Sequence, residues 1–600
     1  MIKKYDNHRI YIHNLANFDA IFLLKILAKI GFCKPLIHND RIISIQLIFG
    51  DHVIYFRDSQ QILIGSLAKL GKSFKVETIK SLFPYFFVNE SNLDYIGSVP
   101  NMNFFDNILK SEYLEYCNNF KDNLWNMKEE TIKYCNIDYI SLYQVISKFT
   151  LLIHDLFELS IHKYPTLSSL AYGIFRTHYL KENTIAQLSG PVAQDIRMSY
   201  TGGACDMYIP FNKDDKNIYA YDVNSLYPYV MKECDMPTGK PVYFQGDIRA
   251  VNKKAFGFFY CNIIAPDNLL HPIIQTHVKT VNGIRTIAPL GQWTDMIFSA
   301  EMDNAIKFGY KFQILWGYTF KPQNIFKDYV DALYKFRLKY PKTNPLNYCA
   351  KLILNGLYGK FGMIDIFPDI SIFKDLKSYL TFEKDHSDDI IDIIDLGPNV
   401  LVKHRSDEKD QQTMLYGNLE THNVNIAIAA AITAYARIHM SQFKNNPDFN
   451  LYYSDTDSIY IDKPLSKDLV SSNELGKMKL ENTLDKTVFL SPKVYFLLTK
   501  DGKIIYKVKG LSHDIDLTLD DFLNLLEKET FLKKIQIKWR KNITDGLISI
   551  LDQLYTLKVT DNKRKLIYSN DFSLVASLYI LKGFSFIINR LFSMFYPLSF

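Results

Sequence analysis

Three aspartates carry the most distinctive chemistry this sequence offers. Asp222 closes an apolar, strand-forming run (NIYAYDV), and Asp455 and Asp457 lie two positions apart in YSDTDS, a polar turn between two β-rich runs. Residues at i and i+2 of a strand face the same way, so the spacing predicts that all three carboxylates converge. Two ionised carboxylates about 4 Å apart repel by about 4 kcal/mol at an effective dielectric of roughly 20, so such a cluster either holds a proton or binds cations. Hard oxygen ligands at strand ends suit Mg2+. With two such ions, one lowers the pKa of an attacking hydroxyl while the other neutralises a leaving pyrophosphate, and no side-chain nucleophile is needed. Taken alone, an Asp-x-Asp turn is more often Asx-turn chemistry than a metal site, so the surrounding residues must decide.

The elements needed to position these groups are legible. Residues 217–231 read as a strand turning into a helix at Ser225, and residues 449–461 as a hairpin with two aspartates at its tip. Residues 325–340 and 346–362 have helical period and are separated by Pro341 and Pro345, which predicts two helices side by side. On the second, Lys351, Asn355 and Tyr358 are spaced i, i+4, i+7 and share one face. Without further context that face would be an amphipathic helix with a snorkelling lysine. Lys335, Arg337 and Lys339 give the first helix a basic face that could meet phosphate or simply be solvated. Upstream, residues 9–14 predict a strand and 18–32 and 126–149 predict helices, with a loop at 163–169 and a domain boundary near 150–170. Residues 383–389 and 406–412 read as exposed loops, and the last ninety or so residues as helical in period.

Composition sets wider bounds. A chain of 600 residues exceeds one hydrophobic core and predicts several domains. With 48% hydrophobic and 22% charged residues it is a folded globular protein, and the ten-residue apolar run 572–581 is too short to span a bilayer and predicts a buried segment. A net charge of +6 permits a polyanionic partner without requiring one. The seven cysteines are scattered with no zinc or redox spacing, which predicts buried thiols in a reducing compartment. No import signal is visible in the first residues, and abundance of Ile, Lys, Asn, Tyr and Phe suits AT-rich coding DNA such as an organelle genome or plasmid.

The residues around the aspartates resemble family B DNA polymerases. YDVNSLYP (221–228) is similar to their first palm motif, KLILNGLYG (351–359) to the fingers-helix motif and YSDTDS (453–458) to the second palm motif, in the family's order. YTGG (200–203) resembles the segment between exonuclease and polymerase domains, KVY (493–495) the thumb-side motif, and residues 425–440 the palm helix before the catalytic hairpin. Long gaps between Asp222 and Lys351 and between Gly362 and Asp455 resemble the protein-primed branch of phages, adenoviruses and linear mitochondrial plasmids, in which insertions fill both places. Residues 291–310 fit the helix following the first insertion.

The resemblance implies a multidomain α/β and α+β fold: an RNase H-like exonuclease domain followed by a right-hand palm, fingers and thumb. It implies an exonuclease-like domain over 1–150, a linker over 151–198, palm over 199–240 and 400–500, a first insertion over 241–320, fingers over 321–363, a second insertion over 364–399, and thumb and tail over 501–600. It implies a DNA-directed DNA polymerase acting in DNA replication, with two Mg2+ ions (or Mn2+) held by Asp222, Asp457 and Asp455. Lys351 is then expected at the incoming triphosphate and Asn355 at the nucleotide, with Tyr358 on the nascent base pair and Tyr227 excluding a 2′-hydroxyl. Tyr200, Gly202, Gly203, Lys493 and Tyr495 are expected to hold DNA. Template, primer, deoxynucleotides and a terminal protein primer are the implied partners, with no membrane, a monomeric state, and a mitochondrial location. Gly356 departs from the family's usual Ser.

HNLANFD (13–19) resembles the second exonuclease motif and YCNID (134–138) the third, which implies roles for Asn14, Asp19, Tyr134 and Asp138. The first motif, Asp-x-Glu, does not occur in residues 1–12, so the expectation is weak or absent proofreading and a truncated or remnant domain. Two other readings compete. An RNA-making or RNA-templated enzyme is disfavoured by Tyr227 and by YSDTDS in place of an Asp-Asp pair. A non-catalytic DNA-binding relic is disfavoured by the presence of all three aspartates and Lys351.

Overall fold

The computed structural model describes residues 3–581 apart from 39–40, 79–81, 107, 214–215, 281–282, 364–368, 405–424, 513, 528, 560–562, 569–573 and 578–579. Its centre is a seven-stranded antiparallel sheet in the order Ile504–Val508, Val494–Thr499, Met478–Ser491, Ile218–Val223, Ser458–Ile461, Leu451–Asp455, Cys205–Met207. The strand ending in Asp222 is thus interior, with a neighbour on each side. Against the sheet lies the helix Ile426–Ser441, whose sequence IAIAAAITAYARIHMS is apolar almost all round, as a helix buried on every side must be. Its small alanines admit the helices Gly190–Met198, Leu226–Glu233, Ser299–Lys307 and Pro345–Phe361.

The paired helices are Lys327–Lys339 and Pro345–Phe361. Pro345 opens the second at a position where its missing N–H costs nothing, and the Asn344 side chain accepts from Leu346 N at 2.9 Å. Both pack on Leu167–His178 or Leu226–Glu233, which roots them in the main core.

Three further sheets surround this body. A five-stranded one runs Ile580–Leu581, Leu290–Phe298, Gly257–Ile264, Lys311–Gln323, Met236–Gln245. A three-stranded one, Asp369–Phe373, Val400–His404, Ile390–Asp395, buries Leu396 and Leu401 in the core of the N-terminal sheet. That N-terminal sheet runs Arg9–Ile12, His52–Asp58, Arg41–Phe49, Phe32–His38, with the helix Asp19–Ile30 beside it.

Several expectations are corrected. Among its described residues the C-terminal region is helical only over Leu519–Asn524, while Leu532–Asn542 and Leu547–Leu557 form a two-stranded ribbon. In IQIKWRK apolar and polar residues alternate, and cross-strand pairing fixes that period rather than the helical one. The helix expected to end at 149 runs Met127–Phe157 without a break at 150. Residues 158–198, expected as part of a linker, carry the helices Leu167–His178 and Gly190–Met198. Residues 291–310 are a strand to Phe298 and only then a helix, Ser299–Lys307. Residues 383–386, expected as loop, continue the helix Leu376–His386, whereas the expected loop at 406–412 lies outside the described residues. Of the cysteines, Cys135 is exposed and Cys117 and Cys234 half-buried. Of the apolar run 572–581, Leu574–Ser577 is a strand and Ile580 is exposed, so burial fails at that end. Among the described residues no helix is long and apolar enough to cross a membrane.

Candidate active site

Strand register brings Asp222 to the hairpin tip. Asp222 pairs with Ser458 on one side and Lys479 on the other, and Asp455 pairs with Ser458, leaving Thr456 and Asp457 as a two-residue turn. Val223 N donates to Asp457 O at 2.8 Å, so the turn is tied to the residue following Asp222. Thr456 takes the left-handed conformation (φ 58°) and its N–H donates to Ala204 O at 2.9 Å.

The three aspartates are linked through Asp457, which feels the charge of Asp455 and whose own charge acts on Asp222. The strand ends at Asp455, and the left-handed Thr456 breaks the period-2 alternation at the hairpin tip. Asp455 is bound by Lys493, whose Nζ donates to its two carboxylate oxygens at 3.0 and 2.8 Å. Of the two hairpin aspartates, Asp457 is the one whose charge is felt at Asp222. Burial first, then Asp457 and Glu481, push the Asp222 carboxyl up to about 7, against the opposing pull of Lys479 and Lys351. Asp457 is pushed up as well, chiefly by burial. Among the described residues no three acidic, His or Cys side chains are grouped to hold an ion. The Asp222–Asp457 pair nevertheless fits a hard divalent cation: two half-buried carboxylates that repel each other, and whose protonation such a charge would relieve.

The helix face is as expected. Lys351 and Asn355 are exposed and Tyr358 half-buried, while Ile353, Leu354 and Leu357 turn into the core. Tyr358 stacks on Tyr227 with ring centroids 4.2 Å apart and planes 17° from parallel, joining this helix to the one that follows Asp222. Arg337 donates from Nη1 to Ser225 Oγ at 2.8 Å, whereas Lys335 and Lys339 are exposed. Tyr200 lies under Gly362, where an added Cβ would meet its hydroxyl at 2.7 Å, and Gly203 abuts the Thr456 side chain, at 2.5 Å from an added Cβ. Tyr495 packs edge-on to Tyr453 at 5.6 Å.

The N-terminal candidates are built differently. Asn14 is left-handed (φ 69°) and its N–H donates to Asp58 at 3.0 Å, as does Ala16 N at 3.1 Å. Asp58, 1% exposed, spends its oxygens on these amides and on Gln60 N. Asp19 opens the helix Asp19–Ile30 and is pushed up by burial, with Asp58 adding to it. Tyr134 and Asp138 lie one turn apart on the Met127–Phe157 helix, and the Tyr134 hydroxyl meets that of Tyr85 at 2.6 Å. The ribbon tip reaches this region: Lys541 donates to Asn17 Oδ1 at 2.8 Å and Trp539 packs edge-on to Phe18 at 5.5 Å.

Sequence reasoning missed Glu481 and Lys479, which face Asp222 only because the strand Met478–Ser491 pairs with its own, and it missed the buried Asp58. It left Arg337 off the site, although its basic-helix pattern was the available signal.

Comparison with known proteins places these features in a family. The family model for DNA polymerase type B, organellar and viral, matches residues 1–449. A probable DNA polymerase of Neurospora intermedia is 37% identical over 577 residues, 91% of this chain and 58% of that protein. One of Ascobolus immersus is 36% identical over 596 residues, 96% of this chain and 48% of its own length. The chain thus spans about half the length of these fungal relatives. The DNA polymerase of Streptococcus phage Cp-1 is 24% identical, covering 84% of this chain and 80% of that one. In fold, the chain is similar to Phi29 DNA polymerase in its ternary complex with primer-template DNA and incoming nucleotide, with TM-score 0.64, 18% identity and coverage of 92% and 91%. The architecture is therefore multidomain, with exonuclease, palm, fingers and thumb.

Proposed function

Because the chain belongs to the type B DNA polymerases of organelles and viruses, we propose that it is a DNA-directed DNA polymerase, adding deoxynucleotides to a primer 3′ hydroxyl by nucleotidyl transfer at Asp222 and Asp457. The observation that carries this is the meeting of Asp222, on an interior strand, with Asp457, at a hairpin tip, beside the Lys351–Tyr358 helix face. Asp222 and Asp457 would hold two Mg2+ ions (or Mn2+), with Asp455 joining when Lys493 releases it. The ions, when bound, supply charge that activates the hydroxyl and neutralises the pyrophosphate. The chain's own residues do the rest. Lys351 binds the triphosphate and Asn355 the nucleotide, Tyr358 supports the nascent base pair, and Tyr227 closes the space a 2′-hydroxyl would need. Tyr200, Gly202, Gly203, Lys493 and Tyr495 hold template and primer.

On this reading residues 199–240 and 400–500 form the palm, 321–363 the fingers, 241–320 and 364–399 the two insertions, 501–600 the thumb and tail, 151–198 a connecting segment, and 1–150 an exonuclease-like domain. On this reading the chain replicates a linear mitochondrial plasmid from a terminal protein primer, as a monomer; the fungal and phage relatives, named as DNA polymerases, support the polymerase part of it. The test is extension of a primed DNA template by purified protein with Mg2+ and either deoxynucleotides or ribonucleotides. Extension with deoxynucleotides alone is expected. DNA binding without any extension would favour a decayed polymerase that binds DNA.

A further inference from the structure

A cleft of about 520 Å³, large enough for a small molecule, lies at the surface between the helices Leu167–His178 and Pro345–Phe361. Ser169, Tyr172, Gly173 and Arg176 are spaced i, i+3, i+4, i+7, so one face of the first helix lines it. Tyr164, from the segment before that helix, folds back over Gly173, where an added Cβ would meet the Tyr164 ring and hydroxyl at 2.5 Å. Lys360 borders the cleft from the last turn of the second helix. It follows Tyr358 by two residues and so points about 200° round the helix from it. The cleft therefore lies behind the face that carries Lys351, Asn355 and Tyr358.

The lining combines two phenol rings with two cations and holds no carboxylate. Arg176 is exposed and has no ion-pair partner among the described residues. Burial pushes the Tyr172 hydroxyl up while Arg176 draws it down, so the guanidinium lies within electrostatic reach of that ring. Leu, Ile, Val and Met, which a lipid or an apolar peptide would need, are absent from the lining. Such a surface fits a flat π system joined to an anion, since aromatic side chains stack on bases and a guanidinium forks onto phosphate oxygens.

We propose that this cleft is a second nucleotide-binding site, taking one nucleotide unit with its base against Tyr164 and Tyr172 and its phosphate at Arg176 and Lys360. A free nucleotide and a single strand of DNA share that unit, and either source satisfies the cleft. The site goes beyond the nucleotidyl-transfer reading and does not depend on it, because none of its residues belongs to the Asp222 centre. Gly173 is part of the device, since a side chain there would push the Tyr164 ring off the helix.

The experiment irradiates the full chain with 5-iodo-dUMP, or with a short single strand of DNA carrying one 5-iodouracil, over a concentration series and locates the adducts by peptide mass spectrometry. Saturable adducts at Tyr164 or Tyr172 are the expected result. Arg176→Ala should raise the half-saturating concentration about tenfold, the scale of losing a charge-assisted contact. Tyr164→Leu, read at Tyr172, should raise it by about the same factor through lost stacking. Gly173→Ala, which displaces the Tyr164 ring, should act in the same direction. Adducts with the single strand alone identify a DNA strand as the occupant, and adducts with the mononucleotide identify a free nucleotide. Both results sustain the site, and they do so even in a chain that extends no primer, where the polymerase reading alone would fall. No adduct at either tyrosine with either probe overturns the proposal, as do wild-type half-saturating concentrations in both Arg176→Ala and Tyr164→Leu. Arg176 is exposed, so its variant is read even where Gly173→Ala fails to fold.

Discussion

The palm site brings its two sequence motifs together in one sheet, whereas the N-terminal exonuclease-like region carries its two on separate elements. In the first, Asp222 and the hairpin are neighbours in one antiparallel ladder, so their separation is set by backbone pairing that a buried helix reinforces. In the second, Asn14 and Asp19 sit on a left-handed turn and a helix start, and Tyr134 and Asp138 on a 31-residue helix, with the nearby Asp58 occupied by backbone amides. In the ladder, backbone pairing holds Asp222 beside the hairpin tip. A turn and a distant helix depend on whatever packs between them.

The strongest way to break this comparison is to remove one aspartate from each region. Asp222→Ala should lower primer extension by roughly 10³-fold or more, the scale of losing a group that stabilises transition-state charge, whereas Asp19→Ala should leave it unchanged. Degradation of a 3′-labelled single strand is expected to be weak in both. Cleavage by wild type that Asp19→Ala abolishes would show a working nuclease and erase the contrast. Next in size, Tyr227→Ala should relax discrimination against ribonucleotides by about 10–200-fold, the range for losing one close steric contact, read as the ratio of kcat/KM values.

A smaller effect sharpens the comparison through pH. The Asp222 carboxyl is pushed up to about 7 from 3.8, so the metal-free folded protein binds a proton that the unfolded chain releases. Its contribution to stability is present below about 4 and is lost as pH rises to about 7. Metal-free Asp222→Asn should therefore have a higher Tm than wild type at pH 8, with the difference closing toward pH 4. Mg2+ should raise the wild-type Tm at pH 8 and the variant's less. Smallest of all, Asn344→Ala removes the side-chain cap before the Lys351 helix and should cost about 1 kcal/mol of stability by denaturant unfolding.

The legible parts of this molecule are those in which period and punctuation act locally. The hairpin, the Pro345 helix start and the shared face of Lys351, Asn355 and Tyr358 follow from spacing alone. What escaped depends on contacts far apart in sequence. Glu481 meets Asp222 through strand pairing, and Arg437 meets Glu301 across 136 positions. The turn between Asp455 and Asp457 rests on one left-handed residue, Thr456, of a type that rarely adopts that conformation. The C-terminal ribbon pairs two strands whose alternation a helical reading overlooked.

The central claim, that Asp222 and Asp457 jointly form the metal-dependent nucleotidyl-transfer site, is tested most directly by the Mg2+ dependence of single-turnover primer extension in wild type and Asp457→Ala at saturating deoxynucleotide. Extension by wild type that saturates with Mg2+, and its loss in the variant at every Mg2+ concentration with primer-template binding retained, is the predicted result. Wild-type rates from Asp457→Ala would contradict it.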